Sequence, residues 1–97
     1  MTNILSKIPL NLEKIGKGDL DKEILRAGII AELDAINLYE QMAALTENKN
    51  ISKILLDIAK EEKTHVGEFQ ALLLMEDKEQ GKELEAGEKE VKEIVRL

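Results

Sequence analysis

Cysteine is absent from the 97 residues of this chain, and its absence excludes several kinds of chemistry. Without thiols the protein cannot form disulfide bonds, use a cysteine nucleophile, or hold zinc or an iron cluster through cysteine. Proline occurs once, at Pro9, and the only aromatic residues are Tyr39 and Phe69. The middle of the chain therefore has no proline to interrupt a helix, and its core must be built from aliphatic side chains.

Basic residues are too few for a nucleic-acid-binding surface. Lysine and arginine number 14 against 20 aspartates and glutamates, so the formal net charge is −6. Phosphate recognition requires a concentrated basic face, which the sequence does not show. Long apolar runs are also missing, since the longest, residues 27–31 and 71–75, are far too short to cross a bilayer. With no recognisable signal peptide, we expect a soluble, cytoplasmic protein that binds neither nucleic acid nor membrane.

Leucine, isoleucine, alanine, glutamate and lysine are abundant, which is typical of helices that pack through aliphatic side chains. Residues 1–18 are broken by one proline and two glycines and are predicted to form an irregular N-terminal arm. A helix is then predicted over about residues 20–45, with Asp19 or Asp21 as its cap. Residues 46–50 are polar and predict a turn.

The turn leads into a second predicted helix over about residues 51–75, for which Asn50 is a plausible cap. Further along, Asp77 is followed three positions later by Gln80, a spacing that resembles a capping box. This pair predicts a third, C-terminal helix within residues 77–97.

Residues 20–75 are predicted to form an antiparallel helical hairpin within a single all-α domain of residues 1–97. Apolar positions such as Ile29, Ile30 and Leu33 face more than one direction on the first helix. A lone hairpin would leave much of this surface in water. Pairing of two chains into a four-helix bundle would bury it, so oligomerisation is predicted before any function is considered.

Three ionisable residues interrupt the apolar stripes of the hairpin. Glu32 takes an apolar position on the first helix, and Glu62 and His65 take two such positions on the second. Because residues equally far from the turn lie level in an antiparallel hairpin, the three side chains should meet at one height. Burial of an unpaired charge costs several kcal/mol, so something must compensate them.

A glutamate on one helix and a Glu-x-x-His pair on its neighbour form half of the ligand set of a carboxylate-bridged di-iron bundle. Glu32, Glu62 and His65 would supply three of six ligands, and a two-fold symmetric dimer would supply the rest. Four carboxylates can neutralise two divalent cations, while two imidazoles act as terminal donors. The alternative is a Glu–His ion pair that only holds the hairpin together.

Other polar residues near the stripes are weaker candidates. Tyr39 lies two turns from Glu32. Its simpler role is packing, and its more specific role is a hydrogen bond to one of the ligands. Phe69 is assigned to packing. Four acidic residues are assigned to a solvated face: Asp34, Glu40, Glu61 and Glu68. Of these, Asp34 and Glu61 are kept as candidates for cation access at a dimer edge.

The segments AELDAINLYEQMA and KILLDIAKEEKTHVGEFQALL resemble the encapsulated ferritins, short relatives of the rubrerythrins. The resemblance covers about residues 20–80. It implies a ferroxidase centre at a dimer interface, with two irons held by Glu32, Glu62 and His65 of both chains. It also implies dimers that assemble into a ring, often a decamer, inside an encapsulin nanocompartment whose shell protein stores the iron.

Two features depart from the family's pattern. Ala31 stands beside Glu32 where the family carries part of an acidic pair, which leaves Asp34 alone. The final segment, EKEVKEIVRL, shows no shell-docking tail. Some relatives are fused to the shell protein, so we expect this chain to correspond to such a domain.

Two other functions stay open on the sequence. A rubrerythrin-like peroxidase would use the same site with an external electron donor, because a chain without cysteine carries no rubredoxin module. A non-enzymatic helical assembly module would use Glu32 and His65 only as an ion pair. The oxidant and the cellular metal are also left open, since manganese and zinc occupy similar sites.

Overall fold

The computed structural model describes residues 19–96, which form three α-helices: α1 (Leu20–Leu45), α2 (Lys49–Glu76) and α3 (Lys78–Val95). No strand occurs in this range, and the predicted all-α class with three helices is confirmed. None of the three helices is long and apolar enough to cross a membrane. The predicted arm, residues 1–18, lies outside the described residues, and the domain limits stay a prediction.

The turn between α1 and α2 is shorter than the sequence predicts. Asn48, not Asn50, is the cap of α2, because its side-chain oxygen accepts hydrogen bonds from the backbone N–H groups of Asn50 and Ile51 at 3.0 and 3.1 Å. Its extended backbone, with φ −83° and ψ 112°, is the conformation that a capping residue requires. The Ser52 hydroxyl also donates to the Ala43 carbonyl at 3.1 Å, which fastens α2 to the end of α1.

The start of α1 relies less on its cap. Asp19 occupies the capping position, but its side chain accepts no hydrogen bond from the helix, and Asp21 lies inside the first turn. Asp21 and Glu23 instead place negative charge in that turn, where the helix dipole favours it.

The core between α1 and α2 is thin. Its buried side chains are Ile36 and Ala43 on α1 and Ala59 and Leu73 on α2. Large apolar side chains outside this line remain exposed, among them Ile30, Leu33, Ile54, Leu56 and Leu72. The hairpin therefore uses little of its apolar surface within one chain, which favours the predicted pairing with a second copy. The dimeric bundle itself stays a prediction.

Asp77 forms the junction of α2 and α3 and connects both to α1. One carboxylate oxygen accepts from the backbone N–H of Gln80 at 3.1 Å, so the predicted cap of α3 is present. The other accepts from the Arg26 guanidinium on α1 at 2.8 Å. The Gln80 hydrogen bond, assisted by Arg26 and opposed by partial burial, lowers the pKa of Asp77 below its ordinary value of 3.8. Asp77 thus stays ionised near neutral pH and forms an ion pair with Arg26.

Candidate metal centre

Three potential metal ligands meet between α1 and α2. Glu32 projects from α1 towards Glu62 and His65 of α2, and one donor atom from each lies within 4.8 Å of the others. The short turn makes the helices antiparallel, and Glu32 and the α2 pair are nearly equally far from it. Glu62 and His65 are three residues apart and therefore share a face of α2. The local structure thus places all three side chains at one level.

The contacts inside this cluster suit a shared cation better than direct hydrogen bonds. His65 Nδ1 lies 3.4 Å from Glu62 Oε2 and 3.5 Å from Glu32 Oε2. Both separations exceed the 2.7–3.2 Å of a good N–H···O hydrogen bond. Around a metal with bonds of about 2.1 Å, neighbouring donor atoms lie roughly 3 to 4 Å apart. The two distances from His65 Nδ1 therefore match the spacing of donor atoms around one ion.

The two carboxylates of the cluster are largely buried, which favours a bound cation. The side chains of Glu32 and Glu62 are each only 19% exposed. Glu32 Oε2 is fully buried and has no hydrogen-bond partner among residues 19–96. An unsatisfied buried carboxylate oxygen costs free energy that a bound cation would recover. Two carboxylates and an imidazole suit iron, manganese or zinc, so the residues fit a divalent metal.

The cluster opens on one side into a cavity of about 330 Å³. Its lining combines two of the candidate ligands, Glu32 and His65, with three neighbours on α2: Glu68, Phe69 and Leu72. The His65 side chain is 45% exposed, so the imidazole stands at the open side of the cluster. A cation can approach the cluster from this side.

The remaining predicted site residues do not join this cluster. Tyr39 is partly buried and Asp34 is exposed, and neither lines the cavity beside Glu32. Their suggested roles as a ligand's hydrogen-bond partner and in cation access therefore gain no contact and stay predictions. The cavity instead brings in Glu68 and Phe69, which the sequence interpretation assigned to solvent and to packing. Glu68 and Phe69 follow His65 by three and four residues, and this spacing already places them on the same face of α2 as His65.

Comparison with known proteins places the chain in a family. A rubrerythrin family profile matches residues 23–97. The ferritin-like–encapsulin shell fusion protein of Pyrococcus furiosus is 68% identical over 72 residues, which cover 74% of this chain and 21% of that protein. The encapsulin nanocompartment cargo protein EncC of Myxococcus xanthus is 41% identical over 56 residues, 58% of this chain and 43% of that protein. The chain thus spans less than half the length of either relative.

The fold comparison agrees. The crystal structure of the encapsulated ferritin domain from Pyrococcus furiosus matches with a TM-score of 0.82 and 57% identity, covering 92% of this chain and 91% of that one. At this identity and coverage, the similarity extends over sequence and fold together. The chain therefore belongs to the rubrerythrin family, and its predicted resemblance to the encapsulated ferritins is confirmed.

Proposed function

We propose that this chain is a ferroxidase that oxidises Fe(II) at a site shared between two copies. The observation that carries the proposal is the buried Oε2 of Glu32, which faces Glu62 and His65 across the hairpin and has no hydrogen-bond partner among residues 19–96. In a structural ion pair this oxygen would accept a short hydrogen bond. In a cation site it has no hydrogen bond in the metal-free protein and binds the metal instead. Similarity to an encapsulated ferritin domain supports iron as the metal.

Each side chain has a distinct role in this proposal. Glu62 would bridge two iron ions, Glu32 would bind one through its carboxylate, and His65 would supply a terminal nitrogen through Nδ1. Two Fe(II) substrates give up one electron each, and with two protons these electrons reduce oxygen to hydrogen peroxide. The carboxylates favour this change because their negative charge stabilises Fe(III) more than Fe(II). The imidazole adds a neutral donor that limits the total charge of the site.

A second chain is needed to complete the site. One hairpin supplies three of the six ligands of a di-iron bundle. The cavity beside His65 leaves room for the others, and the exposed apolar side chains Leu33 and Leu72 offer surface for a partner. A two-fold axis would place the same three residues of both chains around two irons. Assembly of such dimers into a larger ring, such as a decamer, remains part of the proposal.

The stoichiometry of iron binding tests the shared site. Metal-free protein should give an even oligomer by native mass spectrometry and gain two irons per pair of chains when Fe(II) is added without oxygen. Subsequent exposure to oxygen should then oxidise the bound iron rapidly, as followed by absorbance. A monomer, or an oligomer that takes up no iron, would favour the helical assembly module. Sustained peroxide consumption with an added reductant would favour the peroxidase.

The names of the relatives also suggest where the enzyme works. One relative is a fusion to an encapsulin shell and another is an encapsulin cargo protein. We therefore propose that this chain acts inside an encapsulin compartment, where the shell retains the oxidised iron. The natural gene product, expressed with its encapsulin shell, should sediment with the shell and protect its iron from an external chelator. Iron that the chelator removes at the same rate with and without the shell would contradict this location.

A further inference from the structure

Gly28 on α1 and Phe69 on α2 make an unusually close contact beside the candidate metal centre. A Cβ atom added to Gly28 would lie 3.2 Å from three carbons of the Phe69 ring, Cδ1, Cε1 and Cε2. Favourable contacts between carbon atoms lie near 3.5–4.0 Å. The ring therefore already occupies part of the space that a side chain at position 28 would need.

This contact lies one helical turn from the ligands on both helices. Gly28 precedes Glu32 by four residues, and Phe69 follows His65 by four residues, so each pair shares a face of its helix. One turn corresponds to about 5.4 Å along the axis. Over so short a distance a helix is nearly rigid, and the separation of α1 and α2 at Gly28 fixes their separation at Glu32.

We propose that the contact between Gly28 and the Phe69 ring sets the spacing of the metal ligands. Phe69 is then a positioning residue for His65, and Gly28 leaves the space that the ring occupies. The inference rests on the proposed function, because it assigns a metal to the cluster. Metal–ligand distances tolerate changes of only about 0.2 Å. A methyl group at position 28 would displace the ring or the helices by a few tenths of an ångström, enough to disturb a shared coordination sphere.

Glycine in the interior of a helix destabilises it relative to alanine. Replacing such a glycine by alanine should therefore stabilise the protein wherever there is room for the added methyl group. The described residues offer a matched comparison. Gly67 also lies inside a helix, α2, but it would meet nothing within 4 Å if it carried a Cβ. Gly67→Ala and Gly28→Ala make the same chemical change and gain the same helix propensity, but only Gly28→Ala meets the ring of Phe69.

The test measures metal affinity and stability separately in the full chain. Co(II), which has no oxidation step here, is titrated into metal-free wild type, Gly28→Ala and Gly67→Ala by calorimetry, and thermal unfolding is followed by circular dichroism in chelator. Gly67→Ala should raise the melting temperature and bind Co(II) as the wild type does. Gly28→Ala should bind Co(II) roughly tenfold more weakly, the loss typical of residues that orient metal ligands.

A second pair of variants protects the test against misfolding. Phe69→Leu removes the ring, so Gly28→Ala combined with Phe69→Leu should bind Co(II) more tightly than Gly28→Ala alone. If the contact is purely structural, Gly28→Ala should change the melting temperature and leave the Co(II) affinity unchanged. Equal Co(II) affinity of wild type and Gly28→Ala would therefore overturn this inference but not the proposed function. If the wild type binds neither Co(II) nor Fe(II), the proposed function and the inference both fail.

Discussion

Glu32→Ala should reduce the rate of Fe(II) oxidation by more than roughly 100-fold. It should change the stability of the metal-free protein only slightly. The first effect follows if Glu32 binds iron, because alanine offers no donor atom. The second follows from the structure of residues 19–96, within which Glu32 Oε2 is buried without a hydrogen-bond partner. Removing an unsatisfied buried oxygen recovers a desolvation cost of about 1–3 kcal/mol, which offsets the packing lost with the side chain.

Stopped-flow absorbance measures the oxidation, and urea unfolding in the presence of a chelator measures the stability of the metal-free protein. Glu40→Ala is the matched control on α1, since Glu40 is exposed and pairs with Lys63 at 3.1 Å on the surface. That pair is worth about 0–1 kcal/mol, and its loss should not change oxidation. If Glu32→Ala and His65→Ala both destabilise the metal-free protein by several kcal/mol, the cluster is a structural ion pair and the ferroxidase proposal is wrong.

The sequence predicts the helices well where local chemistry decides them. Asp77 and Gln80 predict the start of α3 because a cap involves only neighbouring residues. The start of α2 is predicted two residues late, at Asn50 instead of Asn48. Both are asparagines at a plausible distance from the apolar pattern, and only the backbone conformation of the turn distinguishes them. Composition and spacing do not contain that information.

The candidate site divides in the same way. Glu32, Glu62 and His65 can be placed together because their level depends only on counting residues from the turn. The contact of Gly28 with Phe69 depends on how far each helix is rotated about its axis, which apolar periodicity defines only to within a broad face. Glu68 is exposed, as the sequence predicts, but its place on the rim of the cavity depends on the same rotation and was not predicted.

Leu72→Lys should separate the chains and abolish iron oxidation together. Leu72 lines the cavity with Glu32 and His65 and is 50% exposed in the isolated chain. A lysine there is tolerated by one hairpin, because its ammonium group can reach water. In a two-fold interface over the metal centre, it would bury two unpaired positive charges close to two cations, at a cost of several kcal/mol. Light scattering should therefore report monomers, and native mass spectra should show no pair of irons.

Leu72→Met is the control, since methionine conserves volume and should keep both assembly and oxidation. Circular dichroism should show that the helices of Leu72→Lys are intact, so that loss of activity reports loss of the partner's ligands. The comparison decides between two forms of the site. If monomeric Leu72→Lys still oxidises two irons per chain, then Glu32, Glu62 and His65 do not depend on a second copy. If oxidation disappears with the dimer while the hairpin stays folded, the exposed apolar surface and the incomplete ligand set have one explanation: the active unit is the pair of chains.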